Sequence, residues 1–228
     1  MRLITARSAL TSLLFGGSCF LCRGAARAVL CKECEADLPR LPRDLCPRCA
    51  LESPSGALCG RCLADPPHFD ATIAALAYDF PADTLVHALK FRGELALASL
   101  LSRLLDPHVQ NQSVDCIVPV PLSAARLRQR GYNQTVEIAR HLGNPGLDVS
   151  LCQRERDGPP QMELPFKERQ RNVRGAFRCT RELAGARVAV VDDVMTTGAT
   201  LDEIARTLKT SGAARVENWV VTRTLPHD

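Results

Sequence analysis

Eight cysteines in four identical pairs lie in the first third of this 228-residue chain. The members of each pair are separated by two residues, a spacing that lets two thiolates bind one cation from a tight turn. Such turns are the knuckles of zinc ribbons, and four of them supply the ligands of two tetrahedral all-cysteine zinc sites. The predicted zinc ligands are Cys19, Cys22, Cys31, Cys34, Cys46, Cys49, Cys59 and Cys62.

Two other uses of paired cysteines fit this segment less well. Disulfides need an oxidising compartment and do not favour four equal spacings, and a redox motif needs only one such pair. The segment also has few large apolar residues, so a bound metal is needed to hold it together. We therefore predict two structural zinc ions. Either consecutive pairs or interleaved pairs, first with third, would provide the ligands, and the sequence leaves both arrangements open.

The residues before the first pair have the outline of a short export signal. Arg2 and Arg7 precede an apolar stretch at residues 9–15. This stretch is barely long enough for a signal peptide, and Cys19 is already needed for zinc. We therefore expect residues 1–18 to form a short N-terminal helix or tail. Reduced thiolates for zinc indicate a cytoplasmic protein, and the sequence has no apolar run of about 18 residues that would predict a membrane span.

The rest of the chain alternates between predicted strands and predicted helices. Two prolines after Asp65 mark a boundary, so we expect a double zinc ribbon over residues 19–66 and a second domain over residues 70–228. The alternation of strands and helices predicts an α/β fold with a mostly parallel sheet and flanking helices, preceded by the small zinc-ribbon domain. Apolar periodicity predicts strands at residues 72–78, 114–120, 149–153, 187–191 and 215–222, and helices at residues 83–90, 95–105, 132–142 and 199–210.

The segment VAVVDDVMTTGATL, residues 188–201, combines the features of a phosphate site. Its apolar strand leads into Asp192 and Asp193 at the carboxyl edge of the sheet, where ligands bind in open α/β folds. The backbone N–H groups and hydroxyls of the following turn suit a phosphate. Carboxylates beside a phosphate suit a ribose diol, with or without Mg²⁺, so the segment indicates a phosphorylated sugar. The predicted phosphate-binding residues are Thr196, Thr197, Gly198, Ala199 and Thr200.

The run VVDDVMTTGAT resembles the signature with which type I phosphoribosyltransferases bind 5-phosphoribosyl 1-pyrophosphate (PRPP). It has the same order: an apolar pair, two acids, a variable pair and Thr-x-Gly-x-Thr. The resemblance implies a type I phosphoribosyltransferase-like fold for the second domain, with PRPP and Mg²⁺ as its ligands. It also implies that Asp192 and Asp193 are the catalytic acids.

Three further segments extend the resemblance over nearly the whole chain. They are HALKFRGE (residues 87–94), VPVPLSAARLRQRGYNQTVEIA (residues 118–139) and the pattern R-x-R…Q-x-x-L…R-x-x-N-x-x-G-A-F (residues 154–177). Together with the double zinc ribbon they resemble the ComF family of competence proteins. That family implies a bacterial cytoplasmic protein that acts in the uptake of single-stranded DNA during natural transformation, with competence helicase and recombination proteins as partners.

Cations that could bind the pyrophosphate of PRPP occur in three places. Lys90 lies in the HALKFRGE segment, and Arg126 and Arg130 lie in a predicted loop after a strand. Guanidinium groups of such a loop can bind pyrophosphate bidentately at a sheet edge. Arg154 and Arg174 flank a predicted loop that, in transferases of this kind, closes over PRPP and excludes water.

The same arginines have plainer interpretations, as solvated surface cations or as contacts to single-stranded DNA. Sequence-independent binding of single strands usually needs stacking aromatics as well. Only 4% of the residues are aromatic, which weakens the case for direct DNA binding, while the net charge of +4 permits nucleic-acid binding without demonstrating it. Two functional alternatives stand beside the competence role: a housekeeping transferase that moves phosphoribosyl from PRPP to a base or amine, and a non-catalytic adaptor that docks through its zinc ribbon.

Overall fold

A four-stranded parallel sheet forms the centre of the protein in its computed structural model, which describes residues 17–143, 146–156 and 173–226. In chain order, the strands are β1 (Ala71–Ala77), β2 (Cys116–Pro119), β3 (Cys152–Arg154), β4 (Phe177–Cys179), β5 (Arg187–Met195) and β6 (Arg215–Arg223). The spatial order of the sheet is β1-β6-β5-β2, so β5 and β6 are its central strands. The other two strands, β3 and β4, pair with each other in a separate antiparallel ribbon.

Two short helices belong to the zinc-binding segment, and longer ones flank the sheet. They are α1 (Lys32–Ala36), α2 (Gly60–Ala64), α3 (Ala82–Phe91), α4 (Ala96–Val109), α5 (Ala124–Arg130), α6 (Gln134–Arg140) and α7 (Ala199–Thr210). Within the three described ranges, no helix has the length and apolar character needed to cross a membrane.

Two hydrophobic cores lie on opposite faces of the sheet. Because successive side chains of a strand point to opposite faces, β5 contributes Val191 to one core and Val190 to the other. The first core also contains Trp219 and the inner faces of α3, α4 and α6, and the second contains the inner face of α7. A strand buried on both faces explains the continuous apolar run in its sequence.

The zinc-binding segment covers the free edge of β1. The backbone N–H of Thr72 donates to the carbonyl of Pro47 over 3.1 Å, and that of Ala77 donates to Pro39 over 3.0 Å. Leu30 and Leu38 pack into the same core as α3 and α4. The segment therefore caps an edge strand whose polar groups would otherwise be unpaired, and it shares a core with the α/β part.

These features confirm the predicted fold class: a parallel sheet with flanking helices, preceded by zinc-ribbon-like cysteine clusters. Of the predicted N-terminal helix or tail, residues 1–16 lie outside the described residues.

The prediction of a loop at Arg126 and Arg130 is wrong, because both residues lie on α5. Ser123 caps the start of this helix by accepting a hydrogen bond from the backbone N–H of Arg126. Gly131, with φ of 81°, ends it in the left-handed conformation that glycine adopts without steric penalty. The sequence signals for this helix were its two caps, Ser123 before it and Gly131 after it.

Two predicted strands differ most from their observed bounds. The strand predicted at residues 149–153 is displaced to Cys152–Arg154, because Asp148 accepts hydrogen bonds from the backbone N–H and hydroxyl of Ser150 and forms a turn. The central strand β5 runs on to Met195, past the predicted end at residue 191. The two acids therefore lie within the strand rather than after it.

Candidate functional site

The two acidic residues lie near the carboxyl end of β5, beside the central strand β6. Asp192 is partly exposed and accepts a hydrogen bond from the backbone N–H of Asp193 over 2.9 Å. Desolvation and the adjacent Asp193 carboxylate raise the pKa of Asp192 well above its usual value, and Lys90 opposes the shift. A ligand that brings a cation or hydrogen-bond donors to this pair would stabilise the charged form of Asp192.

Asp193 is buried and bound by Lys90. The Nζ atom of Lys90, in the last turn of α3, lies 2.9 Å from Oδ1 of Asp193, whose side chain is only 4% exposed. The second carboxylate oxygen, Oδ2, is buried and has no hydrogen-bond partner among the described residues. Buried carboxylate oxygens without a donor are unfavourable, so this atom is available to a ligand hydroxyl or a divalent cation, for which carboxylate oxygens are suitable ligands.

A short loop connects β5 to α7 next to these acids. Gly198 immediately precedes the helix with φ of 85°, a left-handed conformation that strains any residue with a Cβ atom. The Cβ atom of an alanine here would lie 2.8 Å from Cε of Met195. Thr197 accepts a hydrogen bond from the backbone N–H of Ala199 over 3.2 Å. The N-terminal N–H groups of α7 thus face the loop predicted to bind phosphate, with a helix dipole that favours an anion. We call residues 196–200 the phosphate loop.

The structure brings Arg130 of α5 within electrostatic reach of Asp193 and places Arg126 beside Arg130. Arg126 and Arg130 are one turn apart on the same face of α5. The guanidinium of Arg130 lies 5.3 Å from the ring centroid of Phe91 and donates to Gln134. Burial lowers the pKa of Arg130, whereas the charge of Asp193 raises it. Lys90, Arg130 and Asp193 therefore belong to one electrostatic cluster.

Arg154 and Arg174 are placed at the two ends of the predicted closing loop. Arg154, on β3, donates from Nε to the carbonyl of Arg156 and lies over the ring of Phe177. Arg174 is exposed just before Gly175, whose backbone N–H donates to Glu203 of α7 over 2.7 Å. The loop itself falls at residues 157–172, outside the described residues, so its predicted closure over PRPP stays a prediction.

The eight paired cysteines form two clusters from consecutive pairs, which excludes the interleaved arrangement. In each cluster the four Sγ atoms lie within 4.8 Å of one another. Cys22 and Cys31 are 3.8 Å apart between Sγ atoms, and Cys49 and Cys59 are 3.6 Å apart. Tetrahedral zinc with Zn–S distances of about 2.3 Å requires an Sγ–Sγ separation of about 3.8 Å, so both clusters fit structural zinc.

Backbone donors stabilise one thiolate of the second cluster, that of Cys46. The backbone N–H of Cys59 donates to Sγ of Cys46 over 3.4 Å. Burial opposes ionisation of Cys46, but N–H groups from Cys59 and Cys49 outweigh it and lower the pKa to about 6. Zinc binds the thiolate form, so these donors favour the ligand form of Cys46, whereas burial and the neighbouring cysteines raise the pKa of Cys62.

Sequence analysis missed Arg223, the last residue of β6. Its side chain is 1% exposed and donates hydrogen bonds to carbonyl groups at both the second cysteine cluster and the phosphate loop. The available signal was a cation at the end of a predicted strand, shortly after the apolar run at residues 219–221. Lys and Arg are rarely buried in such a strand without a partner. Its partners are distant in sequence, so the signal did not identify them.

Comparisons with known proteins recover the same two modules. The family model described as phosphoribosyl transferase domain matches residues 95–224, and the model described as double zinc ribbon domain matches residues 10–63. The DNA utilization protein YhgH of Escherichia coli is 36% identical over 223 residues, covering 92% of this chain and 98% of that protein. Competence protein F of Haemophilus influenzae is 32% identical over 227 residues, with the same coverage. Competence protein ComFC of Streptococcus pneumoniae is 24% identical over 203 residues, covering 85% of this chain and 87% of that protein.

Proposed function

This chain belongs to the ComF family of competence proteins, and from that premise we propose that it binds PRPP with Mg²⁺ and acts in the handling of single-stranded DNA during DNA uptake. The binding site lies at the carboxyl edge of the sheet in a phosphoribosyltransferase-like domain over residues 70–228. A structural double zinc ribbon over residues 19–66 precedes it.

One observation carries the ligand assignment: the buried Oδ2 atom of Asp193 has no hydrogen-bond donor among the described residues. It lies near the end of a central strand, three residues before the phosphate loop begins. A ribose hydroxyl supplies the missing donor, and a 5′-phosphate on the same sugar reaches the N-terminus of α7. Asp192 and Asp193 thus bind the ribose and its associated Mg²⁺.

The pyrophosphate of PRPP needs cations on the other side of the ribose. Lys90, Arg126 and Arg130 meet this need, because Lys90 contacts Asp193 directly and Arg130 lies in the same electrostatic cluster. Guanidinium groups bind phosphate oxygens bidentately, and the partial burial of Arg130 strengthens such a contact by reducing solvent screening. These residues bind and orient the ligand, and Mg²⁺ supplies charge neutralisation to the pyrophosphate when it is bound.

The biological role follows from the relatives rather than from the site. Two of them bear names that refer to competence and one to DNA utilization. We infer that this chain acts in the same process in the cytoplasm, with PRPP as its small ligand and competence helicase and recombination proteins as partners. We also propose single-stranded DNA as a partner of this chain.

Calorimetric titration of PRPP with Mg²⁺ tests the ligand assignment. We expect wild-type binding that is lost in the Asp192→Asn/Asp193→Asn variant, with Kd raised more than about 100-fold because two contacts to charged acceptors disappear. Asp148→Asn is the matched control, since this carboxylate pairs with Arg181 outside the site. Wild-type protein that gives no binding signal, or a double variant that binds as well as wild type, contradicts the assignment.

A transformation assay tests the role. A strain that carries the Asp192→Asn/Asp193→Asn variant at normal protein level should take up and integrate DNA less efficiently than the Asp148→Asn strain. Normal transformation by the double variant would show that PRPP binding is not required for DNA uptake.

A further inference from the structure

Arg223 connects the second zinc site to the start of the phosphate loop. Its Nε atom donates to the carbonyl of Cys49, a predicted zinc ligand, over 2.9 Å. Its Nη1 atom donates to the carbonyl of Met195 over 2.8 Å and also to that of Thr196. The acceptor at Cys49 is more than 140 residues away in sequence from those at Met195 and Thr196. One planar guanidinium binds both sets, through different nitrogen atoms.

The contacts on the loop side fix the backbone where the phosphate loop leaves the sheet. Met195 is the last residue of β5 and Thr196 is the first residue of the loop. The carbonyl of Met195 also accepts a hydrogen bond from the backbone N–H of Thr224 over 3.0 Å, and Thr222 donates from its hydroxyl to the carbonyl of Asp193 over 2.8 Å. The end of β6 therefore holds both the acid pair and the entrance to the loop.

The charge of Arg223 explains why the zinc site is part of this arrangement. A buried guanidinium is unfavourable unless negative charge lies close to it. Its described hydrogen-bond acceptors are all backbone carbonyl groups, those of Cys49, Met195, Thr196 and Thr224. A zinc ion with four thiolates leaves a net negative charge on the site, and Cys49 belongs to that site.

We propose that Arg223 is a positioning residue that holds the phosphate loop in place against the second zinc site, so that this zinc site supports binding of the 5′-phosphate. The proposal rests on the proposed function, because it takes residues 196–200 as the phosphate site. It assigns the two zinc sites different roles. The first cluster instead connects to the α/β part through Arg103 of α4, which binds Glu35 of α1 with two hydrogen bonds of 2.8 Å.

Substitution of Arg223 by lysine tests the positioning role. Lysine keeps the charge but lacks the planar fork that binds both sides. We expect Arg223→Lys to raise the Kd for ribose 5-phosphate about tenfold, the effect of losing one or two hydrogen bonds from a charged donor. The Kd for inorganic pyrophosphate with Mg²⁺ should stay unchanged, because its cations lie on α3 and α5. Arg103→Lys is the matched control and should leave both affinities unchanged.

A spectroscopic measurement on wild-type protein keeps the proposal testable if Arg223→Lys does not fold. Protein loaded with cadmium-113 gives one NMR signal for each tetrathiolate site, assigned through couplings to the cysteine β-protons. Addition of ribose 5-phosphate should shift the signal of the second site and leave that of the first unchanged. A merely structural arginine would not transmit ligand binding to one cadmium site selectively.

The outcomes separate this proposal from the proposed function. Wild-type protein that binds neither PRPP nor ribose 5-phosphate removes the proposed function and this inference with it. If wild-type protein binds, two results for a folded Arg223→Lys variant with both zinc ions overturn this inference but not the proposed function. The variant either binds ribose 5-phosphate as tightly as wild type, or loses affinity for ribose 5-phosphate and pyrophosphate equally. An unshifted cadmium signal at the second site also overturns it.

Discussion

The ion pair between Lys90 and Asp193 places a positive charge against a buried carboxylate before any ligand binds. The Nζ–Oδ1 distance is 2.9 Å, and the lysine side chain retains 22% exposure while the carboxylate is nearly fully buried. A buried carboxylate next to a second acid is unfavourable without such a cation. Lys90 therefore permits two acids to stand side by side in a central strand.

Lys90→Met should leave Asp193 as an uncompensated buried charge. We expect the free energy of unfolding at pH 7 to fall by about 1–3 kcal/mol, the penalty of a buried group that loses its partner. Urea denaturation measures it. Arg92→Met, at an exposed cation two residues away, is the control and should change stability by less than about 0.5 kcal/mol. The double variant Lys90→Met/Asp193→Asn should recover most of the lost stability. If its stability does not recover, the electrostatic explanation is wrong.

The residues of the site divide into those that a local motif specifies and those that only the fold brings together. Asp192, Asp193 and Gly198 belong to one contiguous run, so sequence order alone placed them beside a helix N-terminus. Lys90 was predicted as an anion contact, but its pairing with Asp193 joins positions 103 residues apart. Arg223 likewise binds the carbonyl of Cys49, 174 residues away, and those of Met195 and Thr196, 28 and 27 residues away. No local pattern encodes such contacts.

At the scale of elements, α1 of the first zinc cluster docks onto α4 through a bidentate ion pair. Both guanidinium nitrogens of Arg103 lie 2.8 Å from the two carboxylate oxygens of Glu35. The hydrogen bonds from Arg103 lower the pKa of Glu35 and so favour its charged form. The guanidinium is about half exposed, with 54% of its side-chain surface accessible, which limits the strength of the pair.

A double-mutant cycle measures this contact. Arg103→Gln, Glu35→Gln and the combined variant should give a coupling energy of about 0.5–1 kcal/mol at low salt, as expected for a well-aligned exposed pair. The coupling should weaken at 1 M salt, where charges are screened over about 3 Å. The i,i+3 pair of Arg140 and Glu137 on α6, more exposed at its arginine, is the control and should couple more weakly. A coupling energy that does not depend on salt would contradict the ionic assignment.

Element types were more predictable than element ends, for physical reasons visible in particular cases. The apolar period of α7 and the continuous apolar run of β5 are strong signals, because both elements bury most of their surface. Helix α5 was missed because it buries none of its residues and so has no apolar stripe. The ribbon of β3 and β4 has three residues in each strand, too few for alternation to be recognised.

At the scale of the whole molecule, the zinc-binding segment and the α/β part form a continuous structure. Cys19, Leu30 and Leu38 lie in the same hydrophobic core as Trp219 and the inner faces of α3 and α4. Backbone hydrogen bonds from β1 to Pro39 and Pro47 add contacts along the sheet edge. When a metal site forms only in the folded chain, the free energy of zinc binding stabilises the folded state. The zinc ions should therefore stabilise the sheet and not only the segment that binds them.

Removal of zinc should lower the stability of the α/β part, and Trp219 reports this directly. It is the single tryptophan of the chain and is fully buried in the central strand β6, so its fluorescence follows the sheet. Urea denaturation with a strong chelator should show a Trp219 transition at lower urea, with the free energy of unfolding reduced by at least about 2 kcal/mol. Addition of excess zinc should restore the original midpoint. If the Trp219 transition were unchanged after both zinc ions had been removed, the two parts would fold independently, and the shared core and edge contacts would contribute little to stability.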